Sequence, residues 1–116
     1  MEERIEIINE LATQNFTKIK HTNDNHNFEI VDSQNEFNVL TDIHFQYGPT
    51  KEVGLNGIFN EDLLIIVLER LKAFQNTEFK CKENEMAIIK IEEALLWLKK
   101  RTLNREKRGV QGTSNI

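Results

Sequence analysis

The chain has 116 residues, of which 39% are hydrophobic and 29% are charged, and its formal net charge is -4. This length suits one small domain with a modest core, and we expect a single domain over residues 1–116. The acidic balance argues against binding of DNA or RNA polymers, which requires a broad basic surface. The longest apolar run, Leu63–Leu68, is too short to cross a membrane.

The N-terminal segment, residues 1–15, is predicted to contain a short helix over residues 2–13. Ile5, Ile8 and Leu11 recur there at helical spacing, with polar residues between them. Such a helix would pack against the rest of the chain or against a second copy. The opening letters MEERIEIINE are acidic and amphipathic, unlike a secretory signal, and we expect a cytoplasmic protein.

Residues 16–59 predict a small antiparallel β meander and a glycine-rich loop. Apolar residues recur there at a period of two, which is typical of strands with one buried face. They are Phe16, Ile19, Phe28, Ile30, Phe37, Val39, Ile43, Phe45 and Tyr47. The loop, residues 48–59, contains Gly54-Leu55-Asn56-Gly57, whose backbone N–H groups could approach an anion. The alternative is a tight connection from sheet to helix. Neither the loop nor the histidines have the spacing of a known phosphate loop or metal site.

Residues 60–116 predict an antiparallel hairpin of two helices and a basic tail, so the fold class is α+β. Asn60 is a suitable N-cap, and the first helix is apolar on every side over Leu63–Leu68, which suggests burial on more than one face. The second helix is expected to start near Glu83-Asn84. Its apolar residues alternate steps of three and four, as in a coiled-coil seam; they are Ile88, Ile91, Leu95 and Leu98. We expect the hairpin to mediate oligomerisation.

Six cations crowd the end of the second helix, namely Lys99, Lys100, Arg101, Arg105, Lys107 and Arg108. Arg101 and Arg105 are four positions apart and therefore share a helix face. Two guanidinium groups at this spacing suit a phosphate or pyrophosphate. The alternative is a solvated helix end that complements the helix dipole.

Two further candidates lie near the connection between the helices. Phe74, at the end of the first helix, could stack on a base, or it could be the last core residue of its stripe. Asn84 could hydrogen-bond a base edge or a ribose hydroxyl, or it could cap the second helix. Asn84 and Arg101 are seventeen positions apart, roughly 25 Å on one helix. One small ligand can touch both ends only if they come from different chains, so a shared site predicts an antiparallel homodimer.

No enzyme constellation is present in the sequence. There is no cysteine–histidine pairing with a reason to converge and no hydrolase-type nucleophile motif, and Glu92 and Glu93 point to different sides of their helix. We therefore expect a binding protein without catalytic residues, metal or cofactor.

Residues 45–113 resemble the phage Thoeris anti-defence family, type one, and more loosely the anti-CBASS sponges that share its helical hairpin. The matching text is FQYGPTKEVGLNGIFNEDLLIIVLERLKAFQ, followed by FKCKENEMAIIKIEEALLWLKKRTLNREKRGVQGT. The most specific part is RTLNREKRGVQGT, in which Gln111 stands where family members usually carry Glu. The meander that precedes the hairpin favours the Thoeris-directed branch.

This resemblance implies a sponge that holds a cyclic ADP-ribose isomer, in its glycocyclic form, in the cytoplasm of the infected bacterial host. TIR-domain enzymes make the signal, and family members bind it without cleaving it. By the same resemblance Phe74 would stack on adenine, Asn84 would bond the ligand, and Arg101 and Arg105 would grip its pyrophosphate from the neighbouring chain.

The resemblance also implies additional features. Gln75 and Arg108 are candidates for further ligand contacts, and Gly54-Leu55-Asn56-Gly57 is the candidate site for cyclic trinucleotides. The assembly would be a homodimer, or a hexamer built as a trimer of dimers. Two other functions stay open, namely a sponge mainly for CBASS cyclic di- or trinucleotides, and a structural or protein-binding hairpin that uses Lys99–Arg108 for docking.

Overall fold

The computed structural model describes residues 4–7 and 15–116. Within these residues the chain forms four strands and three helices, and this order confirms the predicted α+β class with a C-terminal helical hairpin. The elements are β1 (Ile5–Ile7), β2 (Thr17–His21), β3 (Asn27–Asp32), β4 (Asn35–His44), α1 (Thr50–Val53), α2 (Asn60–Gln75) and α3 (Lys82–Lys107). The chain divides into two compact units, Met1–Tyr47 with Leu55–Ile58, and Gly48–Gly54 with Phe59–Ile116.

The first unit is an antiparallel meander in which the strands lie in the order β1-β2-β3-β4. Its apolar face is formed by cross-strand pairs of β-branched and aromatic residues, the side chains that favour a pleated surface. Ile19 pairs with Ile30 on one side and with Ile7 on the other, and Phe28 pairs with Ile43. The period-two pattern therefore predicted the meander correctly.

A bulge in β4 changes which residues of that strand share a face. Ile30 pairs with Thr41, whereas the next residue, Val31, pairs with Val39, so Leu40 is the extra residue. An extra residue reverses the alternation of side chains. Val39 therefore lies on the side of the fully buried Val31, and Phe37 is 98% exposed. A second irregularity follows, because Asp32 pairs with Asn35 and residues 36–38 have no paired residue on the described β3. The expectation that Phe37 belongs to a buried face was wrong for this reason.

The predicted N-terminal helix over residues 2–13 is wrong where the structure describes it. Ile5–Ile7 form β1, which pairs with β2 through Ile5 with His21 and Ile7 with Ile19. Ile5 and Ile7 also satisfy a period of two, and the edge of β2 provides backbone partners that an isolated short helix lacks. The remaining residues of the predicted helix, 2–3 and 8–13, lie outside the described residues.

The turn between β2 and β3 depends on one carboxylate. The buried Thr22 hydroxyl donates to Asp24 Oδ1 over 2.5 Å, and the backbone N–H of His26 donates to the same oxygen over 3.0 Å. These donors, the Thr22 hydroxyl foremost, hold the pKa of Asp24 below its ordinary value of 3.8. A Ser/Thr/Asn/Asp side chain that bonds its own backbone is a common turn device.

We expect this carboxylate to make folding stability pH-dependent. The pKa of Asp24 is lower in the folded than in the unfolded chain. At pH values between these two pKa values, the unfolded chain therefore binds more protons than the folded chain does. The contribution is therefore present at neutral pH and is lost as the pH falls through the folded pKa. Urea midpoints measured from about pH 5 down to about pH 3 should fall more steeply for the unmodified protein than for Asp24→Asn. Asp42→Asn is the control variant, since it removes a carboxylate elsewhere on the sheet. If the urea midpoint falls equally steeply for the unmodified protein and for Asp24→Asn, the assignment is contradicted.

The second unit contains α2 and α3, which pack together as the predicted hairpin. Along both helices the less exposed residues alternate steps of three and four, and we call this set the inner seam. Its members are Glu61, Leu64, Leu68, Leu71 and Gln75 on α2, and Asn84, Ile88, Ile91, Leu95, Leu98, Thr102 and Arg105 on α3. α3 has 26 residues and α2 has 16, so the last turns of α3 extend beyond the length of α2.

The helix starts differ from the predicted ones by one or two residues. Phe59, not Asn60, occupies the N-cap of α2, and the Asp62 carboxylate accepts the Phe59 N–H over 2.9 Å. Cys81 occupies the N-cap of α3, which places Asn84 inside the first turn. A short helix, α1, also lies within the stretch predicted to be an irregular connection. The sequence pattern did not predict it, because a single turn is too short to show periodicity.

A second row, in which apolar residues alternate with charged ones toward the basic end, lies on the opposite side of α3 and is exposed in this chain. It follows the same heptad spacing, and we call it the outer stripe. Its members are Met86, Ile89, Glu93, Leu96, Lys100, Leu103 and Lys107. On α2, Ile65, Ile66 and Val67 are likewise exposed, as expected for a helix that is apolar on every side. None of the helices in residues 4–7 and 15–116 combines the length and apolar character needed to cross a bilayer.

Candidate functional site

The candidate ligand residues lie at the two ends of the hairpin. α3 is one continuous helix from Lys82 to Lys107, so Asn84 and Arg101 are separated by about 25 Å at 1.5 Å per residue. Phe74 and Asn84 belong to the end with the connection, which we call the turn end, and Arg101 and Arg105 belong to the basic end. The structure therefore does not bring the four residues together within one chain.

At the turn end, Phe74 is 37% exposed and carries a cation on its ring. The guanidinium carbon of Arg70, one turn earlier on α2, lies 5.0 Å from the ring centroid. This is the geometry of a cation–π contact. Sequence reasoning missed Arg70, although the spacing of four on a helix is a signal for such a contact.

Gln75 braces the connection between the two helices. Its side-chain Nε2 donates to the Cys81 carbonyl over 3.0 Å, and its Oε1 accepts the Cys81 N–H over 3.0 Å. Both ends of the amide are thus engaged with the N-cap of α3, which holds the end of α2 beside the start of α3. This arrangement gives Gln75 a structural role, and its predicted role as a ligand contact remains untested.

Asn84 faces the inner seam in the first turn of α3 and is partly buried. Its side chain makes no hydrogen bond to another residue in the described part of the chain. A polar side chain that is partly buried without a partner retains its full donor and acceptor capacity. Asn84 can therefore still bond a ligand placed against the turn end.

At the basic end, two chemically identical side chains have different surroundings. Arg105 lies on the inner seam and is partly buried; its Nε donates to Gln111 Oε1 over 3.2 Å, and its Nη2 donates to the carbonyls of Val110 and Thr113 over 2.9 and 3.2 Å. Arg101 is exposed, and its side chain has no partner within residues 4–7 and 15–116. Arg108 donates through Nη1 to the Ile116 carbonyl over 2.8 Å.

The predicted two-arginine fork is therefore only partly available in this chain. Arg101 and Arg105 are one turn apart on α3 as expected, but one edge of the Arg105 guanidinium is occupied by the C-terminal loop, Gly109–Thr113. Sequence reasoning could not find the loop contacts, because they depend on the reversal of the chain at Gly109, where φ is +73°. The sequence analysis identified Gln111 only as a residue that differs from the Glu usual in the family.

The Gly54–Gly57 segment has structural duties of its own. The Asn56 side chain is bonded at both ends to the Tyr47 backbone, accepting its N–H over 2.8 Å and donating to its carbonyl over 2.7 Å. Its backbone N–H donates to Gln46 Oε1 over 2.9 Å. Leu55 projects outward and is exposed. The predicted cyclic-trinucleotide site at this segment remains a prediction.

Gly57→Ala is expected to destabilise the first unit. A β-carbon at Gly57 would lie 2.5 Å from the carbonyl carbon of Phe45 and 2.7 Å from the backbone nitrogen of Gln46, where Phe45 and Ile58 form a parallel bridge. Overpacking of this kind costs about 1–3 kcal/mol, which corresponds to roughly 4 °C or more in melting temperature. Calorimetry checks this, with the exposed Leu55→Ala as control; equal melting temperatures for the two variants would contradict the steric argument.

An open groove of about 570 Å³ runs along the outer stripe near the basic end. It is lined by Leu96, Lys99, Lys100, Leu103, Asn104 and Lys107. The Lys100 ammonium group lies 5.2 Å from the ring of the exposed Trp97. The mixture of leucines and lysines suits a helix that presents both apolar and acidic side chains.

The fold and these residues define an α+β protein whose C-terminal helical hairpin carries an aromatic ring and amide groups at one end and cations at the other. The family model of the Acb2/Tad1 hairpin domain matches residues 38–103, more than half of the chain. The chain belongs to the Acb2/Tad1 hairpin-domain family, which confirms the resemblance predicted from the sequence. The matched region includes Phe74, Asn84 and Arg101 and ends before Arg105.

A curated relative agrees with this assignment. The chain is 60% identical over 74 residues to "Thoeris anti-defense 1" of Bacillus phage SBSphiJ7. The alignment covers 64% of this chain and 52% of the relative, so the chain spans about half the length of that protein.

Proposed function

We propose that the protein is a viral sponge that binds and sequesters, without cleaving, a glycocyclic ADP-ribose made by TIR-domain enzymes, and so blocks Thoeris immunity in the infected cell. The observation that carries the proposal is the family match, which includes Phe74, Asn84 and Arg101. The name of the phage relative points to the same pathway. Each residue type suits one part of such a ligand.

The ligand chemistry assigns one task to each end of the hairpin. The Phe74 ring stacks on adenine, since an aromatic ring accepts a base without regard to its hydrogen-bonding edge. Asn84, whose side chain has no partner within the described residues, bonds a ribose hydroxyl or a base edge. Arg101 and Arg105 hold the pyrophosphate by charge-assisted hydrogen bonds.

The two ends come level along the helix axis if two copies pair in antiparallel fashion through their outer stripes. The stripe is self-complementary about Leu96: Ile89 then faces the partner's Leu103, and Glu93 faces the partner's Lys100. In this register the partner's Asn84 is only three residues from level with Arg105, about 4.5 Å along the axis. Each dimer thus brings a turn end level with a basic end twice along its axis, while Asn84 and Arg105 stay on the inner seam, on the opposite side of α3 from the paired stripes. Larger assemblies such as a trimer of dimers remain compatible with this pairing.

Binding without turnover follows from the residues placed at the pocket. An amide, a phenyl ring and two guanidinium groups include neither a carboxylate or imidazole that could act as a general base nor a nucleophile. Such groups can hold a pyrophosphate and exclude its receptor, and they leave the ligand intact.

The proposal is tested by titrating the purified protein with glycocyclic ADP-ribose and then releasing the ligand by heat. We expect binding at low micromolar concentration or tighter, and recovery of unchanged ligand by mass spectrometry. Linear ADP-ribose, the matched control, should bind more weakly because its free ends remain to be ordered. Recovery of a cleaved product, or no binding at low micromolar ligand, would refute the proposal.

A further inference from the structure

Arg105 is the candidate ligand residue whose orientation is set by its own chain. Three of its five N–H donors are engaged: one on Nε with the Gln111 side chain, and two on Nη2 with the carbonyls of Val110 and Thr113. The edge of the guanidinium formed by Nε and Nη2 therefore faces the C-terminal loop. The two donors on Nη1 have no partner in the described part of the chain.

The C-terminal loop is itself held by contacts that do not involve Arg105. The Gly112 carbonyl accepts the N–H of Lys51 in α1 over 2.8 Å. Gly112 has φ +79°, and a β-carbon there would lie 2.8 Å from the Thr50 hydroxyl, so the loop and α1 approach closely. Thr113 Oγ1 also donates to the Val110 carbonyl over 2.5 Å. The oxygens that accept hydrogen bonds from Arg105 therefore belong to a segment that other contacts hold in place.

The contrast with Arg101 shows what this bracing changes. Arg101 is exposed and must lose side-chain freedom when it grips an anion. Arg105 has already lost most of that freedom in the unliganded chain, and its Nη1 edge remains available. Preorganisation of this kind improves affinity by lowering the entropy lost on binding.

We propose that the C-terminal loop is a positioning element for the pocket and that Gln111 is its key residue, because its side-chain oxygen orients Arg105 toward the anionic part of the ligand. The inference rests on the proposed function, since it concerns the same pocket. Gln111, Val110 and Thr113 touch Arg105 and not the ligand. The role requires an acceptor oxygen at position 111, and either an amide or a carboxylate supplies one.

The test compares Gln111→Leu, which removes the acceptor, with Gln111→Glu, which retains it. Affinity for glycocyclic ADP-ribose is measured by titration calorimetry, and the melting temperature of the free protein is measured alongside. We expect Gln111→Leu to weaken binding by about fivefold to tenfold, because the Arg105 side chain must then lose its freedom when the ligand binds, and Gln111→Glu to restore the affinity to within about twofold. Ser114→Ala, which removes a contact to Glu52 over 3.1 Å in the neighbouring segment, should leave affinity unchanged.

A purely structural loop predicts a different pattern. Gln111→Leu would then lower the melting temperature but bind as tightly as the unmodified protein, and that result would overturn the inference, as would Gln111→Glu binding as weakly as Gln111→Leu. If the unmodified protein binds no glycocyclic ADP-ribose, the proposed function fails together with this inference, whereas a failure confined to the Gln111 variants leaves the function standing.

A measurement on the unmodified protein guards against a variant that does not fold. In the free protein the Arg105 Nε–H should exchange with water more slowly than the Arg101 Nε–H, since of these two groups only that of Arg105 has an acceptor within the described residues. NMR of the arginine side chains resolves the two signals. Equal, fast exchange for both would overturn the positioning role.

Discussion

Arg101→Ala is expected to weaken the binding of glycocyclic ADP-ribose by tenfold or more and to leave the melting temperature of the free protein unchanged. A hydrogen bond to a charged group contributes about 1.5–3 kcal/mol, and every 1.4 kcal/mol is about tenfold in affinity. Arg101 is the cleaner choice of the two arginines, because its side chain has no partner within residues 4–7 and 15–116. Arg105→Ala should weaken binding as well, but it should also loosen the C-terminal loop.

Lys99→Ala is the matched control for Arg101→Ala. It removes one positive charge from an exposed position at the same end of α3. Its effect on affinity therefore measures the general electrostatic attraction of the ligand, which salt weakens by screening. Titration calorimetry on both variants separates a specific contact from this general effect. Losses below about twofold for both Arg101→Ala and Arg105→Ala would contradict the pyrophosphate assignment.

Mixing two inactive variants tests whether the pocket is shared between chains. If the pocket is shared as proposed, Asn84→Ala and Arg101→Ala damage opposite sides of it, so a mixed dimer keeps one intact pocket and one with both changes. Random re-pairing of equal pools makes about half of the dimers mixed, and about one quarter of all pockets should regain full affinity. No recovery after verified subunit exchange would contradict the shared pocket.

Leu96→Asp is expected to dissociate the dimer and, with it, to abolish ligand binding. Leu96 lies at the centre of the outer stripe, where the proposed antiparallel arrangement would place it against the same residue of the second copy. It is 67% exposed in the single chain, so an aspartate there should not disturb the monomer's core. In the dimer it would place two carboxylates together and desolvate both, at several kcal/mol.

Sedimentation velocity and titration calorimetry on the same samples check this expectation. Phe37→Asp is the control, since Phe37 is a still more exposed apolar side chain and lies on the sheet. Exchange of the facing charges gives a finer test: Glu93→Lys or Lys100→Glu alone should weaken the dimer, and the two together should restore it. A Leu96→Asp variant that stays dimeric, or that is monomeric and binds fully, would contradict the model.

Much of the fold follows from local patterns in the sequence. The steps of three and four along α3 predict a helix with a seam, and the alternation around Ile19, Ile30 and Ile43 predicts a meander, because these periods match the geometry of the backbone. The prediction of an N-terminal helix used the same criterion of residue spacing and was wrong. Ile5 and Ile7 satisfy a period of two while Ile5 and Ile8 suit a helix, and only pairing with β2 decides between them.

The candidate site divides in the same manner. Residue types and spacing made Phe74, Asn84 and Arg101 candidates, and all three lie within the family match. Their roles as ligand contacts stay predictions. Arg70 over Phe74 could have been found from its spacing of four. The hydrogen bonds of Gln75 and Asn56 could not be found from the sequence. Their partners, Cys81 and Tyr47, lie six and nine residues away across a turn.

The sequence by itself determined that α3 is long and uninterrupted, and hence that the turn end and the basic end of one chain are about 25 Å apart, because the helical rise per residue is constant. Only the tertiary structure decided the separate situations of Arg101 and Arg105. The inner seam and the reversal at Gly109 bring loop oxygens to Arg105, while Arg101, one turn earlier, stays in solvent. Contacts of this kind depend on where a loop returns in space, which no periodic pattern records.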